Sequence, residues 1–88
     1  MLIIGCSNSK NLAKKIAKRL KVKHSELTVK HFPDGELYIK FETSLKNKEV
    51  IFIQTLYQAN EALLEIILAA YTAKNLGAKK LKLVTPYL

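Results

Sequence analysis

The spacing of apolar positions changes repeatedly along this chain, and each change marks an element. Leu2-Ile3-Ile4 is a short all-apolar run that reads as a buried strand. Gly5-Cys6-Ser7-Asn8-Ser9 breaks it with small polar residues, and Ser7 or Ser9 can cap the helix that follows. Leu12, Ala13, Ile16, Ala17 and Leu20 then recur at helical spacing, with lysines on the other face. This helix is expected to end by Lys21–Lys23. Alternation returns over Leu27–Phe32 and Leu37–Glu42. Leu27, Val29 and His31 share one face of the first arm, and Thr28, Lys30 and Phe32 the other. Leu37, Ile39 and Phe41 form an apolar face on the second arm, opposite Tyr38, Lys40 and Glu42. The Asp-Gly between the arms predicts a hairpin, because glycine takes positive φ freely and aspartate hydrogen-bonds its own turn.

Beyond the hairpin, Thr43–Lys48 reads as a polar loop and Val50–Ile53 as a central strand buried on both faces. Leu56–Ala59 is the next loop. Asn60 is the expected N-cap of a helix running to about Leu76, with Gly77 as its stop signal. Leu63, Leu64, Ile67, Leu68 and Tyr71 make its wide apolar face. Leu81–Thr85 predicts a last strand, ended by Pro86. The order β-α-β-β-β-α-β predicts an α/β fold: a mostly parallel sheet with helices on both faces and a β-hairpin insertion.

Composition narrows this picture. With 88 residues the chain makes at most one small domain, and with 49% hydrophobic residues it is globular rather than disordered. The chain stops one strand after a helix, so residues 1–88 read as the N-terminal portion of a larger domain. An uncovered sheet edge should then favour self-association. No apolar run reaches the length of a membrane span, and MLIIGCS lacks the basic start of a signal peptide. A single cysteine, Cys6, cannot form an internal disulfide, which fits a reducing, cytoplasmic setting. The net charge is +8, much of it from Lys10, Lys14, Lys15, Lys18, Arg19, Lys21 and Lys23. Such charge attracts phosphates and acidic partners. Lysine nevertheless outnumbers arginine fourteen to one, with few aromatics between, which argues against base readout in nucleic acid.

Candidate chemistry concentrates in KHFPDGELY, residues 30–38. One ring, Phe32, and two carboxylates, Asp34 and Glu36, crowd a single hairpin tip. A ring can stack on a flat base, and a carboxylate can accept from an exocyclic amine; a solvated turn with an aromatic peg is the plainer reading of the same residues. There is no Walker phosphate loop and no G-x-G-x-x-G. His24 and His31 lack a partner cluster, so no protein metal cage is expected. Cys6 reads as a buried structural thiol.

Met1–Gly5 with Ser7-Asn8-Ser9, the FPDGE tip, EVIFIQT, the segment Asn60-Glu61-Ala62-Leu63-Leu64-Glu65, and Thr85-Pro86-Tyr87 occur in one order at one spacing. Together they resemble the N-terminal part of ribose-phosphate pyrophosphokinase, over essentially all 88 residues. The resemblance implies a phosphoribosyltransferase-like half-domain. It also implies transfer of pyrophosphate from ATP to ribose 5-phosphate, giving phosphoribosyl pyrophosphate and AMP, with Mg²⁺ accompanying ATP. It implies a homo-oligomer in which the tip residues Phe32, Asp34 and Glu36 hold adenine across a subunit contact. His31 stands where the family commonly has a basic residue. Ser44 and Lys46 align with a loop that in some members contributes to a regulatory phosphate site; a plain polar loop is the other reading. No catalytic residue is assignable, so the piece alone is expected to be inactive. Two other readings stand beside this one: a non-catalytic synthetase-associated regulatory protein, and a basic nucleic-acid-binding module.

Overall fold

A computed structural model of the chain describes residues 1–35 and 37–86. The elements run β1 (Leu2–Gly5), α1 (Lys10–Leu20), β2 (Lys23–His31), β3 (Leu37–Phe41), β4 (Glu49–Ile53), α2 (Ala59–Asn75) and β5 (Lys80–Val84). The strands form one five-stranded sheet in the order β3-β2-β1-β4-β5. β1 lies at its centre, parallel to both β2 and β4, and β5 is parallel to β4. β3 returns antiparallel to β2. This is the expected α/β order, with one adjustment. β2 starts four residues earlier than alternation suggests, because Lys23–Glu26 pair with β1 before Leu27–His31 pair with β3. One long strand therefore serves both the parallel sheet and the hairpin.

The two faces of the sheet carry separate cores. Leu2, Ile4, Leu27, Ile39, Val50 and Phe52 pack with Ala69 and Ala73 of α2. Ile3 and Ile53 pack with Ala13 and Ala17 of α1. Period-two alternation in β1 and β4 thus sends successive side chains to opposite helices. Gly5 sits where α1 crosses closest. A Cβ there would stand 2.7 Å from the Ala13 Cβ and 2.9 Å from the Lys10 Cα, so only glycine lets helix and strand approach this far.

Three local expectations are corrected. Ser9 does occupy the N-cap of α1, but its side chain makes no cap bond; its hydroxyl is taken by Thr55, 2.8 Å away. α2 begins at Ala59 behind Gln58 in a left-handed conformation, so Asn60 lies in the first turn rather than at the cap. The polar loop after β3 contains a core residue, Leu45, which is 1% exposed.

The largest correction concerns α2. The residues it buries are Ala62, Glu65, Ala69 and Ala73. Of the residues expected to face the core, Leu68 packs against it, whereas Leu63, Leu64, Ile67 and Tyr71 are exposed. Small side chains let the helix lie close on a sheet already filled by large β-branched and aromatic residues, and the bulky row turns outward.

Candidate functional site: the strand-end cleft and the hairpin tip

The sheet changes winding direction between β1 and β4. From β1 the chain crosses by α1 to β2 on one side; from β4 it crosses by α2 to β5 on the other. Ligands of open α/β sheets bind outside the carboxyl ends of strands at such a point. A cleft of about 230 Å³ lies there, with Ser7, Asn8 and Gln54 from the two strand ends, Tyr57, Glu61 and Glu65 from the α2 side, and His31 and Gly35 from the hairpin.

Its floor is a closed polar network. Glu65 is 6% exposed. Its carboxylate accepts from the Ser7 amide at 2.7 Å, from the Ser7 hydroxyl, and from Gln54 Nε2 at 3.2 Å. The Gln54 side-chain carbonyl accepts from the Asn8 amide at 3.0 Å. Asn8 Nδ2 donates to the carbonyls of Thr55 and Tyr57 at 3.0 and 2.8 Å. Thr55 in turn donates its amide to the Ser9 hydroxyl. The loops after β1 and β4 are therefore stitched residue by residue, and the buried charge on Glu65 is balanced by donors on three sides. Cys6 belongs to the same cluster. Burial pushes its thiol up to about 12, and the adjacent Glu65 carboxylate adds charge repulsion and a hydrogen bond that favour the protonated form. The expected inert, buried thiol is what the fold contains.

Above the cleft stands the hairpin. Gly35 N donates to Phe32 O at 2.9 Å, closing a turn with Pro33 and Asp34 at its corners, and Gly35 has φ +88°. Pro33 sets one corner and glycine supplies the left-handed exit, so the tip is a stiff turn. Phe32 is about half exposed and meets Tyr38 edge-on at 6.5 Å between ring centroids. Asp34 is exposed at the turn. Glu36, the third residue expected at this tip, lies outside the described residues, as does Tyr87. Tyr38 carries no site signal of its own in the sequence, although the register that sets it opposite Lys30 also places it on the Phe32 face.

Ser44 and Lys46 are brought together at the other end of the sheet. Lys46 N donates to Ser44 Oγ at 3.4 Å, and both residues are exposed. Asn47 N donates to Gly77 O and Lys79 N to Lys48 O, so this loop is pinned to the one before β5. β3 runs antiparallel to β2 and so delivers the loop to the end of the sheet where β4 begins. The two candidate sites therefore lie at opposite ends of the strands of one sheet. Among the described residues no three His, Cys, Asp or Glu side chains converge to hold a metal ion, and no helix is long and apolar enough to cross a membrane.

The fold defines the class. It matches a purine phosphoribosyltransferase from Pyrococcus horikoshii over 98% of this chain and 67% of that one, with TM-score 0.66 and 20% identity. It matches the phosphoribosylpyrophosphate synthetase of Mycobacterium smegmatis with TM-score 0.75 and 26% identity, over 98% of this chain and 29% of that one. The family model for the N-terminal domain of ribose phosphate pyrophosphokinase matches residues 1–88, and the chain belongs to that family. A ribose-phosphate pyrophosphokinase from Saccharolobus solfataricus is 39% identical over 89 residues, which is 100% of this chain and 31% of that protein. One from Mycoplasma genitalium is 36% identical over 87 residues, 98% of this chain and 26% of that protein. The chain thus spans about a third or less of the length of the curated relatives it matches.

Proposed function

We propose that this chain is the nucleotide-contacting N-terminal domain of a ribose-phosphate pyrophosphokinase, whose reaction converts ATP and ribose 5-phosphate to phosphoribosyl pyrophosphate and AMP. The observation that carries this reading is the tip. A ring and a carboxylate stand exposed on a stiff turn, in a chain whose family match runs from end to end. In this proposal Phe32 stacks on adenine, while Asp34 and Glu36 accept from its exocyclic amine. The base that the tip holds in this proposal is one bound mainly by a neighbouring subunit of a homo-oligomer. Mg²⁺ would enter with ATP. The buried carboxylate of Glu65 already takes donors on both oxygens, so it does not suit a metal.

Ser44 and Lys46, one hydroxyl and one cation on a pinned loop, make up the proposed regulatory phosphate contact. Their position at the opposite end of the strands keeps it apart from the nucleotide.

Phe32→Ala, made in the complete synthetase, is the direct test. Loss of base stacking amounts to about 1–3 kcal/mol. The KM for ATP should therefore rise roughly five- to a hundredfold, with the KM for ribose 5-phosphate and the melting temperature unchanged. Unaltered ATP kinetics in a folded Phe32→Ala protein would refute the nucleotide role of the tip.

A further inference from the structure

The two rings at the hairpin tip are held in different ways. Tyr38 stands on β3, which pairs with β2 at every residue from Leu37 to Phe41. Its neighbour Ile39 belongs to the core that includes Ala69 and Ala73 of α2. The backbone beneath Tyr38 is therefore anchored from both sides. Phe32 lies one residue past the last pair, His31 with Leu37, where the chain enters the turn. Pro33 confines the Phe32 backbone to the extended region, but the ring is 47% exposed. A half-exposed side chain at a turn keeps rotamer freedom that a ligand must remove on binding.

Tyr38 restricts that freedom. Lys30 is directly opposite Tyr38, and Phe32 follows two residues later on the same face, so the two rings are diagonal neighbours across the hairpin. Their centroids are 6.5 Å apart and their planes are inclined at 64°, the edge-on arrangement that ring quadrupoles favour. Such a contact takes at most one face of Phe32, so a flat base can still stack on the other.

We propose that Tyr38 is a positioning residue for the nucleotide: its ring, anchored on β3, holds Phe32 in the orientation that stacks on adenine. The inference rests on the nucleotide role of the tip and adds a residue to it. Tyr38 acts through Phe32, by sparing that ring the cost of being ordered when the base arrives. The ring suffices for this, and the phenol hydroxyl has no part in it. Adenine is remote from the phosphorus that is attacked, and its stacking is the same in the ground state and the transition state. A loosened Phe32 therefore raises the KM for ATP and leaves kcat alone.

Steady-state kinetics of the complete synthetase test this. Tyr38→Val keeps the strand preference of the position and removes the ring. It should raise the KM for ATP about two- to tenfold, with kcat and the KM for ribose 5-phosphate unchanged. Tyr38→Phe should keep the wild-type KM. On top of Phe32→Ala, Tyr38→Val should add nothing, because no ring remains to be held. A wild-type KM in Tyr38→Val, beside a raised one in Phe32→Ala, would leave the tip its nucleotide role and remove Tyr38 from it. A further rise in the double variant, or a Tyr38→Phe protein as impaired as Tyr38→Val, would make Tyr38 a direct contact and overturn the positioning role. A Tyr38→Val protein that loses kcat as well would have a ring that only supports the fold. Unaltered ATP kinetics in Phe32→Ala would overturn the nucleotide role of the tip, and the role of Tyr38 with it.

Discussion

Glu65 and Cys6 show how a single buried charge organises its neighbours. Both carboxylate oxygens accept hydrogen bonds, so Glu65→Ala would leave the Ser7 amide and Gln54 Nε2 without their acceptor and cost about 1–3 kcal/mol. Glu65→Gln should cost less than about 1 kcal/mol. Its amide oxygen can take the place of Oε2, and its NH₂ can donate to the Ser7 hydroxyl, which is able to accept. Denaturant unfolding of both variants checks this, and equal losses would refute the satisfied-network account. Cys6 adds a pH dependence. Its thiol is raised from 9.0 to about 12 in the folded protein. Below pH 9 both states keep the proton and the contribution to stability is intact. Between 9 and 12 only the unfolded chain loses it, so stability should fall with rising pH by up to about 1.4 kcal/mol per unit. Cys6→Ser should flatten that slope; an unchanged slope would assign it to other groups.

At the scale of elements, legibility followed the strength of the local signal. β1 and β4 are nearly continuous apolar runs, and the Asp-Gly hairpin has both turn chemistry and alternation, so all three could be read directly. The span of α2 is legible in the sequence, but of its large apolar row only Leu68 packs against the core. A row of large apolar side chains reads as a core face, yet packing selected the alanines because the sheet beneath was already full. The polar floor of the cleft was hidden for a different reason: Ser7, Gln54 and Glu65 are far apart in the chain, and no local pattern joins them. The close crossing of α1 over β1 was equally silent, carried by Gly5 alone. Gly5→Ala should therefore destabilise by about 1–3 kcal/mol. Ala13→Gly should restore only part of this, since the Lys10 Cα and the Ser9 carbonyl also lie 2.9 Å from the added Cβ. Full restoration in thermal melts would mean that Ala13 alone sets the approach.

Across the whole molecule the governing asymmetry is charge. Fifteen cationic side chains face seven acidic ones, and the acids are unevenly used. Glu65 is buried, Asp34 sits at the tip, and Glu49 pairs with Lys82 at 3.4 Å on an exposed surface, where such a bridge contributes little. α1 carries its cations with no acid in its first turn. Folding gathers like charges that the extended chain keeps apart, so self-repulsion destabilises the folded protein in low salt. Raising ionic strength from about 0.01 to about 0.15 M shortens the Debye length from ~30 Å to ~8 Å and screens that repulsion across the width of the molecule. The melting temperature should rise with salt accordingly. The triple substitution Lys14→Glu, Lys15→Glu and Lys18→Glu should raise it at low salt and remove most of the salt response. These three positions are exposed on the helix face away from the core, so the substitution probes the field of the molecule rather than its packing. A melting temperature insensitive to salt in both proteins would show that the basic face is solvated independently at each lysine, with no collective cost to folding.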